Sequence, residues 1–406
     1  MSEGEILVGL SVIVIGGVGA QWLARVLRVP SVLLLLAAGF VAGSVTDLVN
    51  PDELLGELLF PGVSLAVGML LFDGGLQLDI RRIYRWRSVV TRLVTVGVLI
   101  TWVVASVSAM LVTDLTGGTA WLAGAILVVS GPTVVLPILQ RVRPAAPSGE
   151  ILEWEGILID PIGAMLGVIV LDYVIEDGGA GAAVGSVATT VIAGSLAGLA
   201  GAALVVLLLR HPATLQSLAA PVALAIAVAA FVSVSFIADE GGLFATTIMG
   251  VALANQRVVD IKNVAMFEEG IGILALRSLF MVLGARVSPN ELGPMIVPGL
   301  VVLAALVLVA RPLTVLASTW GSGLDRGSVG FLNALAPRGI VAAATSAAFA
   351  LELESHGFER ESEVLVPLTF VIIVGAGFIY GLGAGPAARL FGVAPTSAAP
   401  NAEAES

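Results

Sequence analysis

Asp160 is the costliest residue in this sequence to place. It sits in EWEGILIDPIGAMLG, Glu153 to Gly167, and an aspartate at the centre of a lipid-crossing helix costs about 2.5–3.5 kcal/mol on insertion scales. Desolvation favours the neutral acid and a bound cation favours the carboxylate, so the group can hold a proton or a small monovalent cation in turn. The bland alternative is an aspartate that stays hydrogen-bonded or protonated. At about 100° per residue, Gly156, Asp160, Gly163 and Gly167 fall on one helix face, which another backbone can approach closely. Glu155 lies about 140° away and needs a different partner.

The candidate partners come from two interrupted apolar runs. SGPT (Ser130 to Thr133) and APRG (Ala336 to Gly339) each place a proline in a stretch that otherwise reads as helix. Proline has no N–H, so Pro132 frees the carbonyl of Val128, Pro137 that of Thr133 and Pro337 that of Asn333. In hydrocarbon those oxygens must be met by protein, water or an ion. Gly131 loosens the first break further, and Ser130 and Thr133 add hydroxyls, the hard donors that Na⁺ or K⁺ takes. A plain kink is the alternative.

Arg277 and Arg338 read as the basic residues left inside apolar runs, and Arg338 stands at the second break, so a Glu155–Arg338 ion pair is expected. Arg277 faces Glu268 or Glu269 only across eight or nine residues, which disfavours a pair on one helix. Asp73, in FDGGLQLD, reads as a further oxygen ligand or as a polar helix end. His211 and His356 are isolated, and no phosphate loop, nucleophile elbow or zinc motif stands in a suitable context. A non-enzyme without cofactor or nucleic-acid partner is expected.

Positioning these groups falls to a membrane-embedded helical scaffold. The chain of 406 residues is 58% hydrophobic and 12% charged, with a mean hydropathy of +1.04, far outside the soluble range. Apolar runs of about 20 residues, the length that crosses ~30 Å of hydrocarbon, fill most of it. Loop signals divide it into thirteen candidate spans, roughly 5–27, 31–46, 54–78, 88–112, 119–140, 150–174, 181–209, 217–238, 241–256, 262–285, 291–317, 327–352 and 362–391. MSEGEILVGL lacks a basic n-region, so the first span is expected to be retained. There is no cysteine, hence no disulfide or thiolate site.

Alternate loops and helix ends collect nearly all the arginines, Arg28, Arg81, Arg82, Arg85, Arg87 and Arg311 among them, whereas the opposite side holds Arg286 and Arg360 beside an excess of acids that includes Asp177 and Asp239. The positive-inside rule then places the N-terminus outside and the C-terminus in the cytoplasm of a plasma-membrane protein. IRRIYRWR, Ile80 to Arg87, reads as an interfacial helix, a lipid-binding patch or an inner loop. The net charge of −11 includes an acidic tail over 394–406 that reads as disordered.

The two breaks are seven spans apart, as are FDGGLQLD and MVLGARVS (Met281 to Ser288). An odd offset inverts the copies, and broken helices in inverted halves point to a transporter's midplane site. The expected organisation is a first repeat over 1–176, a linker helix over 177–216, a second inverted repeat over 217–393 and the tail.

These motifs resemble the NhaP-type monovalent cation/proton antiporters over most of the chain. Glu155 and Asp160 are similar to the glutamate and ion-binding aspartate of the family's ESxxND pattern, and Arg338 to the arginine of its LRG-like segment. FDGG resembles FEGG at Asp73, SGPT resembles TDP at Ser130, and GLFATTIMGVALANQ (Gly242 to Gln256) is similar to the ninth helix. Ile159, Gly156 and Gly131 depart from the asparagine, serine and aspartate of those patterns. The resemblance implies thirteen helices in inverted repeats, a homodimer in lipid, and electroneutral exchange of Na⁺ or K⁺ for H⁺ on Asp160. A sodium-coupled symporter of a small organic anion is the alternative reading, and a channel finds no TVGYG-like filter.

Overall fold

The computed structural model describes residues 2–394 apart from 28, 30, 116, 177–179, 211–217 and 239–240. The side chains of 132, 133, 176, 180–184, 186, 269, 271, 273 and 340 are also outside the described set. The expectations for Arg28, Thr133, Asp177, His211, Asp239, the Glu269 side chain and the tail from 395 onward fall there.

Every regular element among the described residues is helical. The first half comprises α1 (Glu3–Leu27), α2 (Ser31–Phe40) with a π turn over Val41–Val45, α3 (Pro51–Leu55), α4 (Leu59–Leu76), α5 (Ile80–Ile83), α6 (Arg87–Val94), α7 (Val96–Val112), α8 (Gly117–Val128), α9 (Pro132–Val142) and α10 (Ser148–Glu176). The second half begins with α11 (Ala180–Arg210), α12 (Ala219–Ser235), α13 (Gly241–Asn255), α14 (Lys262–Arg286) and α15 (Pro289–Ala305). A π turn over Leu306–Ala310 leads into α16 (Arg311–Thr319), and α17 (Arg326–Asn333), α18 (Ile340–Ser355) and α19 (Glu359–Leu390) complete the chain.

Among the described residues seven helical units are long and apolar enough to cross a membrane, and shorter apolar helices accompany them. Leu7, Ile15, Trp22 and Val26 of α1 stay exposed, as side chains facing lipid tails do, so this is a multi-pass membrane fold.

Local chemistry sets the helix ends. Asn50 accepts from the Glu53 amide at 3.3 Å, and Asp325 from the Ser328 amide at 2.8 Å, each filling an orphan donor of a first turn. IRRIYRWR folds as the single turn α5 followed by a 3₁₀ turn over Tyr84–Trp86. Its Ile83 is buried, while Arg87 lies 4.6 Å from the Tyr84 ring centre.

Between spans, small residues admit whole backbones. A Cβ on Gly39 or Gly43 would overlap the carbonyls of Met281 and Ala285 on α14, and one on Gly250 would overlap that of Phe72 on α4. Without a hydrophobic drive between helices in lipid, such close approach is what holds them together.

Candidate ion-binding site

Both expected interruptions are present. Helix α8 ends at Val128, residues 129–131 are non-helical, and α9 restarts with Pro132 in its first turn. Helix α17 ends at Asn333, residues 334–339 are non-helical, and Ile340 opens α18. Pro337 lies inside that second gap. Each break exposes C-terminal carbonyls, the negative end of a half-helix, and each is met by an arginine. Arg338 Nη1 donates to the Val128 carbonyl at 2.8 Å. Arg311 Nε donates to the Leu332 carbonyl at 2.8 Å.

Helix α10 runs against the first break on its glycine face. A Cβ on Gly163 would meet Val129 Cγ2 at 2.6 Å and the Val129 nitrogen at 3.3 Å, and one on Gly156 would lie 3.5 Å from the Ser130 carbonyl oxygen. Gly167 likewise meets Phe349 of α18. Asp160 stands on that face, between Gly156 and Gly163, and is 0% exposed. Neither of its carboxyl oxygens has a hydrogen-bond partner. A buried acid with both oxygens unmet is rare in a folded protein, and here it faces the loosened backbone of Val129 to Gly131. The arrangement offers one removable charge, beside peptide oxygens, to a proton or a small cation.

Glu155 takes a different partner from the expected one. Its carboxylate is clamped by Arg311, with Nη1 on Oε1 and Nη2 on Oε2 at 3.0 Å. The expected Glu155–Arg338 pair is therefore corrected: Arg338 is spent on the Val128 carbonyl. Glu155 and Arg338 do line one narrow cleft, together with Ser130, Arg311, Thr101 and Thr314. The two arginines thus share the glutamate's field while only Arg311 has the bidentate geometry.

By sequence Arg311 reads as a helix-end residue on the basic side, yet it is 4% exposed within the protein. The π turn over Leu306–Ala310 adds a residue to the helix just before it, which rotates α16 by about 100° and turns Arg311 inward. The legible signal is an Arg-Pro pair, Arg311-Pro312, with apolar residues on both sides.

Ser130 reaches the site, buried and on the cleft wall. Asp73 lies on α4 with its Oδ2 accepting from Gln77 at 3.3 Å. It faces α14, since a Cβ on Gly272 would stand 3.5 Å from Oδ2, whereas the adjacent Gly74 meets Ile157 of α10. His356 is exposed, beside Glu352. Among the described residues no group of three or more His, Cys, Asp or Glu could hold a metal ion.

Comparison with known proteins places this geometry in context. The family model described as "Sodium/hydrogen exchanger, transmembrane" matches residues 10–390. The chain is similar to Na(+)/H(+) antiporter 1 of Methanocaldococcus jannaschii, 26% identical over 89% of this chain and 87% of that protein. It is also similar to the K(+)/H(+) antiporter NhaP of Alkalimonas amylolytica, 26% identical over 77% of this chain and 55% of that one. The solved structure of the sodium proton antiporter MjNhaP1 from M. jannaschii at pH 8 superposes with a TM-score of 0.84, covering 96% of this chain and 100% of that one at 22% identity.

Proposed function

Because the chain belongs to the sodium/hydrogen exchanger family, we propose that it is a secondary active antiporter exchanging Na⁺ or K⁺ for H⁺ on Asp160. The observation that carries the proposal is the Asp160 carboxyl, fully buried with neither oxygen bonded, against a helix break. Ser130 and the freed peptide oxygens beside it supply the remaining ligands, and Thr133 belongs to the same ligand set by its place in the break.

Charge balance sets the stoichiometry. Asp160 and Glu155 carry two negative charges, and Arg311 and Arg338 two positive ones, so the empty site is neutral with Asp160 ionised. A proton or a monovalent cation brings it to +1, and the two loaded forms are electrically equal. Both can cross by the same movement, whereas the empty carboxylate, without its cation in a dry interior, is held back. One-for-one electroneutral exchange follows.

In this reading the chain makes thirteen crossings in two inverted repeats, 1–176 and 217–393, with 177–216 as linker helix. It works as a homodimer with its N-terminus outside and its C-terminus in the cytoplasm. A symporter of an organic anion finds less support, since both site arginines are bound to protein oxygens.

The experiment is proton flux in proteoliposomes carrying a pH dye, driven by Na⁺, K⁺ or Li⁺ pulses. Wild type is expected to answer Na⁺ or K⁺ with proton movement and no net current, and Asp160→Asn to abolish it. Intact exchange in Asp160→Asn refutes the assignment.

A further inference from the structure

The corner that joins α4 to α6 takes no part in the exchange step, yet it carries four arginines in seven residues, Arg81 to Arg87. We propose that this corner binds the headgroup phosphates of anionic phospholipid in the leaflet it faces.

The corner is held in shape by its neighbours. Asn255 of α13 accepts from the Ile80 amide at 2.9 Å and donates to the Leu78 carbonyl at 2.8 Å. Asp79 caps the turn through the Arg81 amide at 2.9 Å, and Ile83, Val89 and Leu93 are buried beneath it. With those side chains fixed inward, Ile80, Arg81, Arg82, Tyr84, Arg85 and Arg87 are all exposed.

Length puts this exposed face at the headgroup layer. The apolar unit Ile80–Val112 has 33 residues, about 50 Å of helix against ~30 Å of hydrocarbon. Helix α7 has 17 residues and covers about 25 Å by itself, so the surplus falls at the end that bears the arginines. Exposed isoleucine and tyrosine among arginines make the side-chain mix of a lipid–water boundary, with stems and rings in the lipid and charged ends at its surface.

Most of the charge at the corner meets no acid. Arg82 stands 3.7 Å from Asp79, and its charge reaches Glu150 and Glu153 of α10. Among the described residues Arg81, Arg85 and Arg87 form no ion pair. Two of them lie against rings instead, Arg85 at 5.0 Å from the Trp86 ring centre and Arg87 at 4.6 Å from that of Tyr84. A guanidinium laid on a ring keeps its edge N–H groups free, and that planar fork takes two phosphate oxygens at once.

The positive-inside rule accounts for arginines on this side of the membrane, but not for rings beneath two of them on a corner pinned from α13. A zwitterionic headgroup carries its own cation beside the phosphate, so guanidinium groups without acids select a lipid of net negative charge. Free phosphate offers the same oxygens but lacks the acyl chains that Ile80 and Tyr84 would lie beside.

The inference goes beyond the exchanger reading, whose failure shows separately as absent flux in wild-type proteoliposomes. Delipidated full-length protein in nonionic detergent is titrated into a trace of fluorescently labelled phosphatidylglycerol and followed by anisotropy. Saturable binding is expected, displaced by unlabelled phosphatidylglycerol and not by phosphatidylcholine or inorganic phosphate. Arg81→Gln, Arg85→Gln and Arg87→Gln together are expected to weaken it about a hundredfold, at about fivefold for each charge. The same three charges removed at Arg141, Arg143 and Arg389, which are exposed and on the same side in the proposed topology, are expected to change it by about threefold or less. Tyr84→Ala keeps every charge and removes only an exposed ring, and is expected to weaken binding about two- to fivefold, so a triple variant that fails to fold does not remove the test. Displacement by phosphatidylcholine or phosphate, equal losses in the two triple variants, or wild-type affinity in Tyr84→Ala overturns the proposal.

Discussion

Arg311→Ala is the perturbation that most directly tests how the site is held together. The guanidinium donates to both Glu155 oxygens and to the Leu332 carbonyl, and the side chains of the pair are 4% and 6% exposed. Truncation leaves a buried carboxylate without a counter-charge, which costs about 3–5 kcal/mol. It also leaves a helix-terminal carbonyl without its donor, worth about 1–3 kcal/mol. Since one side chain serves both, the two are less than additive, and a loss of about 4–6 kcal/mol is expected. That rivals the whole stability of an ordinary domain, about 5–15 kcal/mol. The assay is thermal unfolding by fluorescence-detected size exclusion, for Glu155→Gln, Arg311→Ala and the double variant. Arg338→Ala is run in parallel with its own double. The bidentate pair predicts a coupling of about 2 kcal/mol or more between Glu155 and Arg311, and about 0.5 kcal/mol or less between Glu155 and Arg338. A larger coupling to Arg338 refutes the reasoning.

The other predictions concern the break, the seams and a cap. Gly163→Val puts a branched side chain where even a Cβ stands 2.6 Å from Val129 Cγ2, so folded yield or exchange rate falls while surface expression of Gly163→Ala is less affected. Gly250→Ala sets a methyl into the backbone of Phe72, whereas nothing lies within 4 Å of a Cβ on Gly4. The first is expected to cost about 1–3 kcal/mol, and Gly4→Ala to be neutral or stabilising by up to ~1 kcal/mol in the melting temperature assay. Asp325 caps α17 outside the spans, and its hydrogen bonds from Ser328 hold its carboxyl below the usual range. A depressed carboxyl contributes stability above its unfolded-state value and loses it as pH falls through the folded one. Asp325→Ala is thus expected to cost about 1 kcal/mol at pH 7, with the gap to wild type closing in acid; a gap that widens in acid contradicts the assignment.

Much of the site is legible in the sequence because its residues break local rules. A proline in an apolar run, or an aspartate among leucines, has no cheap structural explanation in lipid, so Pro132, Pro337 and Asp160 stand out and the breaks lie at those prolines. The glycine face of α10 comes from helical spacing alone. Arg311 escapes notice for the opposite reason. An arginine toward the basic end of a predicted span is cheap if it reaches water, and only the π turn before it directs it inward. A π turn is a property of the backbone that hydropathy does not encode. The pairing of Glu155 then falls, by sequence, to an arginine visible inside a span.

The two arginines also explain why the protein tolerates breaks in its most buried region. A broken helix presents the negative end of one half-helix dipole to a dry interior, and both breaks here do so. Arg338, from the second break, caps the first half-helix of the first break at Val128. Arg311, placed by the span before the second break, caps the half-helix that ends at Leu332 and reaches on to Glu155 of α10. Each break therefore depends on a cation from the second half of the chain, and α10 is tied to α17 through one side chain. Removing Arg338 frees the end of α8 and unlinks the two breaks, and removing Arg311 frees the end of α17 and unties it from α10, so the network resists motion within this group of helices more than motion between it and its neighbours. The group can then move as a unit with Asp160 at its centre. On that argument, variants at Arg311 and Arg338 lower exchange by loosening the ligands around Asp160, which raises the apparent KM for the cation before it lowers the maximal rate. A fall in maximal rate with KM unchanged speaks against it.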